Sequence, residues 1–255
     1  MSFTVVIPAR YASTRLPAKP LQDICGKSMI QRVWEQAKLC GASKVVIATD
    51  HSEIFAAAQE FGADVLMTRA DHESGTDRLA EVVDALGLSD EDLVVNVQGD
   101  EPLIPPAVIN QVAQNLKNNP SMSVATLSES VSEVSAYRNP NTVKVVADKN
   151  GRALYFSRAK IPFARDNVKD DEALTKLLMH EKIAMKHIGI YAYRASLLRE
   201  FVQWPVAMLE RVEKLEQLRV LENGHAIHVE EAIENVPGGV DTQEDLEIVR
   251  AIVAQ

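Results

Sequence analysis

Three basic side chains lie close together in a loop near the amino terminus: Arg10, Arg15 and Lys19. Arginine offers a planar fork to phosphate oxygens, whereas lysine acts on them as a point charge. The prolines at positions 8, 17 and 20 restrict the backbone, so that less entropy is lost when the loop orders around a ligand. The pattern favours a binding site for one polyphosphate. The alternative is a solvated surface loop, since charged residues mostly face water.

Two carboxylates far apart in the sequence are candidates for a metal site. Asp100 follows a predicted buried strand, and Asp241 precedes a predicted helix. Mg²⁺ takes one or two protein carboxylates together with substrate phosphates and water, which fits two aspartates beside a basic loop. Gly99 is predicted to let the backbone approach the ligand closely. The alternatives are a simple turn at Asp100 and, at Asp241, a helix N-cap with Glu244 completing the capping box.

Alternating strands and helices are predicted to position these residues. Short apolar runs typical of buried strands occupy residues 3–7, 44–48, 63–67 and 92–97. Helices are predicted from an N-cap at Ser28 to Gly41, over 52–61, and from about residue 75. This alternation predicts a mostly parallel sheet covered by helices. Ligands bind to such a sheet outside the carboxyl ends of its strands, where the basic loop and Asp100 are expected.

The second half of the chain is predicted to be less regular. Strand patterns occupy residues 122–127, 142–147, 153–156, 187–193 and 225–230, and residues 164–182 are polar and predicted to form an excursion. Helices are predicted over 208–221 and 242–254. We therefore interpret residues 1–255 as a single α/β domain with an inserted antiparallel, β-rich excursion at about 122–193.

Composition excludes several classes of protein. The formal charge of −9 argues against a nucleic-acid partner, which would need a basic face. No apolar run approaches the roughly 18 residues of a membrane span, and the amino terminus lacks an export signal, so we expect a cytoplasmic protein with no membrane partner. Two cysteines without a C-x-x-C pattern predict reduced thiols. Gly26-Lys27-Ser28 matches the end of the phosphate-binding motif of P-loop ATPases, but Leu21 stands where that motif requires its first glycine, so this class is excluded.

A series of short motifs follows in order along nearly the whole chain. They are Ile7-Pro8-Ala9-Arg10-Tyr11-Ala12-Ser13-Thr14-Arg15-Leu16-Pro17, Ala48-Thr49-Asp50, Thr68-Arg69-Ala70-Asp71-His72, Ser74-Gly75-Thr76-Asp77-Arg78, Asn96-Val97-Gln98-Gly99-Asp100-Glu101-Pro102, Tyr155-Phe156-Ser157-Arg158, His187-Ile188-Gly189-Ile190-Tyr191, Leu215-Glu216-Gln217-Leu218-Arg219 and Gly239-Val240-Asp241-Thr242. Together they resemble the motifs of the 3-deoxy-manno-octulosonate cytidylyltransferases, or CMP-Kdo synthetases.

The resemblance implies a fold, a reaction and a set of site residues. The fold would be a three-layer α/β/α sandwich of the nucleotide-diphospho-sugar transferase type, usually a homodimer. The reaction would join CTP and Kdo (3-deoxy-D-manno-octulosonate) to give CMP-Kdo and pyrophosphate for lipopolysaccharide biosynthesis, with Mg²⁺ as cofactor. The implied nucleotide contacts are Arg10, Ser13, Arg15, Lys19, Ser74 and Arg78. The implied metal ligands are Asp100 and Asp241, which form the implied catalytic set with Arg15 and Lys19. The implied sugar contacts are Gln98, Arg165, His187, Tyr191, Glu210, Glu213 and Gln217.

Three of these sugar candidates are predicted to share a helix face. Glu210, Glu213 and Gln217 follow the spacing i, i+3 and i+7, and a second, apolar face is formed by Met208, Val212, Leu215 and Leu218. The alternative is that the polar residues form a solvated face.

Two segments depart from the family pattern. Ala18 stands where the family commonly has glycine, so a positive φ at this position would be strained. The segment from Trp204 to Glu210 differs from the usual Pro-Ser-x-Leu-Glu at the predicted wall of the sugar pocket.

Three other functions remain open from the sequence. One is a cytidylyltransferase for a related acidic sugar, such as 8-amino-Kdo or a sialic acid. Another is a GT-A type glycosyltransferase, which would release UDP or CMP rather than pyrophosphate. The third is a nucleotide-binding regulator, which would bind CTP without releasing pyrophosphate.

Overall fold

The computed structural model describes residues 2–12, 15–72, 74–165 and 170–254. Its strands are β1 (Thr4–Ala9), β2 (Asp23–Ile24), β3 (Lys27–Ser28), β4 (Lys44–Thr49), β5 (Asp64–Met67), β6 (Leu93–Asn96), β7 (Val124–Ser130), β8 (Lys144–Ala147), β9 (Ala153–Ser157), β10 (Met185–Arg194) and β11 (Ile227–Glu231). Its α-helices are α1 (Met29–Lys38), α2 (Ser52–Glu60), α3 (Gly75–Ala85), α4 (Pro106–Asn118), α5 (Val134–Arg138), α6 (Asp171–Glu181), α7 (Ala195–Phe201), α8 (Met208–Glu213), α9 (Gln217–Glu222) and α10 (Gln243–Val253). A short 3₁₀ helix spans Lys19–Leu21.

Within these ranges, nine strands form one sheet. Its main path runs in the order β11-β7-β10-β6-β1-β4-β5, and β8 and β9 continue it sideways from β10. The pairs that β1 makes with β4 and β6 are parallel, as are β4–β5 and β11–β7, whereas β10 is antiparallel to both β6 and β7. The predicted mostly parallel sheet with antiparallel strands is confirmed.

Alternate residues of the central strand β1 enter two different cores. Val5 and Ile7 pack with residues of α1, α2 and α4 on one side of the sheet. Val6 packs on the other side with residues of α3, α7 and α9. Both faces of the sheet are therefore covered by helices, which gives the three layers that the resemblance implied.

The predicted excursion at about 122–193 includes β7 and most of β10. Because β7 and β10 belong to the main path of the sheet, the part of this range that branches from the main path is the β8–β9 pair, with α5 and α6 beside it in the chain. The polar segment 164–182, for which no helix was predicted, includes α6. Leu174 and Leu178 of α6 pack against Tyr137 of α5 in a small separate cluster. This pair is too sparse an apolar pattern to stand out in the sequence.

The single helix predicted over 208–221 is wrong. The chain forms α8 and α9 instead, because Lys214 between them adopts a left-handed conformation with φ of 54°. The predicted faces hold only in part. Leu215 and Leu218 of the predicted apolar face are buried, but Met208 and Val212 are 54% and 70% exposed. The predicted polar residues Glu210 and Gln217 are each only 9% exposed.

The ends of the other helices mostly agree with the sequence. Ser28 caps α1 by accepting a hydrogen bond from the Gln31 backbone N–H. That helix ends at Lys38 rather than at Gly41, whose N–H donates to the side chain of Asn110. Among the described residues, no helix combines the length and apolar character that crossing a bilayer requires.

Candidate active site

Three distant segments meet at the carboxyl ends of the parallel strands: the basic loop after β1, the loop after β6 and the turn before α10. The last two are joined directly, since the Val240 N–H donates to the Asp100 carbonyl at 2.8 Å. Val240 is fully buried in a cluster that also contains Leu16 of the basic loop and Leu246 of α10. Packing of this apolar cluster therefore brings the carboxyl-terminal helix to the basic loop.

A glycine is required at position 99 by a close contact with the backbone of Pro8, whereas the sequence predicted a close approach to the ligand. A Cβ atom at this position would lie 2.7 Å from the Pro8 carbonyl oxygen, which is shorter than side chains tolerate. The backbone at Gly99 thus approaches the end of β1 closely, and the prediction that it makes room for the ligand is not needed to explain the glycine. This close approach holds Asp100 beside the basic loop.

The predicted meeting of cations and carboxylates is confirmed. Lys19 Nζ lies 2.6 Å from Asp100 Oδ2 and 3.0 Å from Asp241 Oδ1, and Arg15 Nη2 lies 3.0 Å from Asp241 Oδ2. The Lys19 side chain is 16% exposed, whereas that of Arg15 is 65% exposed. Burial alone would lower the pKa of Lys19, but the charges and hydrogen bonds of the two aspartates outweigh it and raise the pKa.

The N-cap role considered for Asp241 is wrong. The cap of α10 is Thr242, whose hydroxyl accepts from the Asp245 N–H, and Asp245 in turn accepts from the Thr242 N–H. The capping box is thus shifted by one residue from the predicted pair of Asp241 and Glu244. The Asp241 carboxylate is left to face Lys19 and Arg15.

A cavity of about 360 Å³ opens beside this cluster of charges. Its lining contains most of the predicted nucleotide and metal residues, with one sugar candidate: Arg10, Arg15, Lys19, Arg78, Gln98, Asp100 and Asp241. Gly75, at the start of α3, also contributes. Ser13, predicted to contact the nucleotide, lies outside the described residues.

Ser74 and Arg78 hold the wall of the cavity at the start of α3. The Ser74 hydroxyl accepts from the Asp77 N–H and so caps the helix. Arg78 is fully buried, donates from Nη2 to Asp50 Oδ2 at 2.7 Å and is hydrogen-bonded through Nη1 to Thr68. Two nitrogens of the Arg78 guanidinium are therefore bonded within the protein, whereas its buried Nε has no hydrogen-bond partner among the described residues.

Ala18, at the start of the Lys19–Leu21 turn, has the strained backbone that the sequence suggested. Its φ of 49° and ψ of 37° lie in the left-handed region, where a Cβ atom clashes with the following carbonyl. The residue before Lys19 therefore carries strain that a glycine would not.

The sugar candidates do not form one group. Gln98 lines the cavity and donates from Nε2 to the Gly189 carbonyl at 3.5 Å. Gly189 lies in an irregular part of β10, where the register with β7 shifts between Ile188 and Tyr191. Gln98 therefore contacts the part of β10 that lies between His187 and Tyr191. The ring centroids of these two residues are 5.3 Å apart.

His187 is a neutral residue in this environment. Burial lowers its pKa to about 3, and its Nε2 lies 3.0 Å from the Thr126 hydroxyl. Burial also raises the pKa of Tyr191 well above its ordinary value. Both side chains can therefore offer hydrogen bonds to a ligand but no charge at neutral pH.

Glu210 and Glu213 are occupied by the protein itself. Glu210 accepts from Arg219 Nε at 2.7 Å, from Arg219 Nη2 at 2.6 Å and from the Ala207 N–H at 3.1 Å. Glu213 accepts from the Ser157 hydroxyl at 2.6 Å and the Arg158 N–H at 3.0 Å. These contacts favour structural roles over the predicted sugar contacts.

The last two sugar candidates, Gln217 and Arg165, lie in different environments outside the larger cavity. Gln217 lines a small inner cavity of about 80 Å³ together with Tyr191 and Tyr193. Arg165 is exposed and is not part of the lining of the larger cavity.

Two acidic residues near the site were missed by the sequence reasoning. Glu216 lines the inner cavity, and its buried Oε1 has no partner among the described residues. Burial raises its pKa. Burial and the adjacent Asp100 raise the pKa of Glu101 to about 8. The position of Glu216 beside Leu215, in a Glu-Gln pair flanked by two leucines, was the available signal.

The two aspartate carboxylates suit a metal ion that is also held by a bound substrate. Among the described residues, no group of three or more His, Cys, Asp or Glu side chains is placed to hold a metal ion. Asp100 and Asp241 do, however, turn one oxygen each to the same ammonium group. Two convergent carboxylates fit Mg²⁺ only if phosphate oxygens and water complete its octahedron.

The helix-covered sheet, with cations and carboxylates facing one cavity at its carboxyl edge, is the architecture of a nucleotidyltransferase. The family model described as Cytidylyltransferase matches residues 4–231. A cytidylyltransferase structure from Leptospira borgpetersenii, 17% identical, has a TM-score of 0.61 and covers 99% of this chain and 86% of that chain, which supports the fold alone.

Closer similarities narrow the class. The 3-deoxy-manno-octulosonate cytidylyltransferase of Cellvibrio japonicus is 62% identical over 99% of this chain and 98% of its own length. A solved structure of CMP:2-keto-3-deoxy-manno-octonic acid synthetase complexed with CTP is 43% identical, with a TM-score of 0.88, and covers 100% of this chain and 98% of that one. The chain belongs to the 3-deoxy-manno-octulosonate cytidylyltransferase family.

Proposed function

We propose that this protein catalyses the reaction of CTP with Kdo to give CMP-Kdo and pyrophosphate, which supplies activated Kdo for lipopolysaccharide biosynthesis. The observation that carries the proposal is the convergence of Arg15, Lys19, Asp100 and Asp241 on one cavity. The 62% identity to a relative of that name supports the choice of substrates.

In this proposal the anomeric hydroxyl of Kdo attacks the α-phosphorus of CTP in line with the leaving pyrophosphate. Lys19 and Arg15 bind the triphosphate and balance the charge that develops on pyrophosphate. Arg10, at the rim of the same cavity, adds a third cation. Gln98 orients the sugar from the loop that carries Asp100. Catalysis then comes mainly from positioning and charge neutralisation, and no protein nucleophile is needed.

Asp100 and Asp241 are the proposed magnesium ligands. When bound there, Mg²⁺ would supply positive charge that shields the α-phosphate from the incoming oxygen. The protein's own part is to hold two carboxylates together, which the hydrogen bond from the Val240 N–H to the Asp100 carbonyl enforces.

The proposal includes a homodimer that acts in the cytoplasm. Support for a dimer comes from large apolar side chains exposed on and near the β8–β9 pair, with Leu154 60% and Phe163 72% exposed. Sedimentation of the purified protein would give its oligomeric state directly, and a mass near twice 28.1 kDa is expected.

A pyrophosphate-release assay tests the reaction. We expect release with CTP, Mg²⁺ and Kdo together, and much slower release when ATP, GTP or UTP replaces CTP. A panel of Kdo, 8-amino-Kdo and a sialic acid identifies the acceptor. CTP binding without pyrophosphate release would contradict the proposal, as would release of CMP from a sugar nucleotide.

A further inference from the structure

We propose that Lys19 acts as an internal counter-ion in the nucleotide-free protein, holding Asp100 and Asp241 together and keeping free divalent cations out until the metal arrives with the nucleotide. This inference rests on the proposed function, because it takes the two aspartates as the metal ligands. It adds an order of binding: the metal–nucleotide complex enters, and Lys19 then moves from the carboxylates to the phosphates.

Lys19 already lies between the two carboxylates in this structure. Its Nζ bonds one oxygen of each aspartate, at 2.6 Å and 3.0 Å, so the ammonium bridges the two carboxylates. With a side chain only 16% exposed, Lys19 meets little competition from water. The left-handed Ala18 immediately before it starts the 3₁₀ turn that carries Lys19.

The charges of the cluster explain why free metal is disfavoured. The two carboxylates are balanced by the cations of Lys19 and Arg15, so the cluster is neutral as it stands. A free divalent cation would add two positive charges to a neutral group and would have to break both Lys19 bonds. A metal–CTP complex carries net negative charge and offers phosphate oxygens to the displaced ammonium, so each broken bond is replaced.

Arg15 is less suited to act as the counter-ion that keeps free metal out. Of the two aspartates it pairs with Asp241, and its side chain is 65% exposed, so this ion pair is largely screened by water. The barrier to free metal is therefore expected to depend mainly on Lys19.

Binding of Mn²⁺ in place of Mg²⁺ provides a test that needs no turnover. Free Mn²⁺ is measured by electron paramagnetic resonance in the absence of sugar, with and without CTP, for the wild type, Lys19→Met and Lys19→Gln. Without CTP, both variants should bind Mn²⁺ about five- to tenfold more tightly than the wild type, because two ion pairs no longer oppose the metal. Lys27→Met, which removes a lysine paired with Glu35 instead, should leave Mn²⁺ affinity unchanged.

Two results would overturn the inference in distinguishable ways. If the lysine variants are folded, bind Mn²⁺ with CTP, and show wild-type affinity for Mn²⁺ alone, the counter-ion role fails while the proposed metal site stands. If the wild type binds no Mn²⁺ even with CTP, the metal assignment of the proposed function fails, and this inference fails with it. Thermal melting of both lysine variants establishes that the compared proteins are folded.

Discussion

Replacement of Glu210 by glutamine separates a structural role from a sugar-binding role. Glu210 and Arg219 have side chains 11% and 10% exposed, and the guanidinium also lies over the Phe201 ring with its carbon 4.2 Å from the centroid. The Glu210→Gln variant keeps the shape of the side chain but turns one acceptor into a donor. One of the two bonds from Arg219 is then lost, and the buried guanidinium loses the carboxylate to which it is bonded, while the charges of Glu216 and Asp77 still act on it from nearby.

The size of the effect follows from that loss. Removing one partner of a buried ion pair costs about 3–5 kcal/mol, because the other charge stays buried. Since the amide still accepts one hydrogen bond, we expect the lower value, about 3 kcal/mol. For a protein of this size each kcal/mol lowers Tm by about 2–4 °C, so Tm should fall by about 6–12 °C.

Thermal unfolding followed by circular dichroism measures this change, and pyrophosphate release gives KM for Kdo below the melting transition. We expect an unchanged KM for the folded variant. Glu172→Gln is the matched control, because Glu172 pairs with Lys176 on an exposed helix face and should change stability by less than about 0.5 kcal/mol. A Glu210→Gln protein with wild-type Tm and a raised KM for Kdo would refute the structural reading.

Three further changes test other parts of the structure. Ala18→Gly should raise stability by about 0.5–1 kcal/mol in urea denaturation, since relief of left-handed strain exceeds the added chain entropy; a loss of stability would contradict this. Gly99→Ala should cost about 1–3 kcal/mol and slow turnover, because the new Cβ meets the Pro8 carbonyl and displaces Asp100; wild-type turnover and stability would show that the loop adapts freely. The pKa of His187 falls from 6.5 to about 3 on folding, so its contribution to stability is present above pH 6.5 and is lost as pH falls towards 3. His187→Gln should therefore show a shallower loss of stability between pH 6.5 and pH 4, and an unchanged slope would rule this out.

Most strands and helices up to residue 97 could be predicted because each is short and uniformly apolar or periodic, whereas the short β2–β3 pair and α4 were not predicted. Val5, Val6 and Ile7 illustrate this, since all three are fully buried in a strand with helices on both faces. The placement of β10 between β6 and β7 could not be predicted, because strand order in a sheet depends on packing between segments that are distant in sequence.

The break between α8 and α9 was missed for a local reason. Nothing in the residue type of Lys214 announces a left-handed conformation, which is uncommon outside glycine, asparagine and aspartate. Helical spacing then placed Glu210, Glu213 and Gln217 on one face by assuming a continuous helix. A buried glutamate such as Glu210 is recognisable only when its partner, Arg219, is seen beside it.

Residue types alone made the basic loop and the two aspartates candidates for a phosphate and metal site, and the family resemblance favoured that role over a surface loop, a turn and a helix cap. What the sequence could not supply was the packing that brings them into contact. That contact depends on Val240 and Leu16, whose shared apolar cluster holds the turn before α10 against the basic loop. Nor did the sequence show that Lys19 bonds both carboxylates.

The most direct test of the site is pyrophosphate release by Asp241→Asn under saturating Mg²⁺, CTP and Kdo, with folding checked by thermal melting. The substitution keeps the size of the side chain and removes the charge that faces Lys19 and Arg15. We predict a folded protein whose kcat is reduced by at least about 100-fold, comparable to the loss of one electrostatic catalytic group. A folded Asp241→Asn protein with kcat near that of the wild type would contradict the proposed pairing of carboxylates and cations as the catalytic centre.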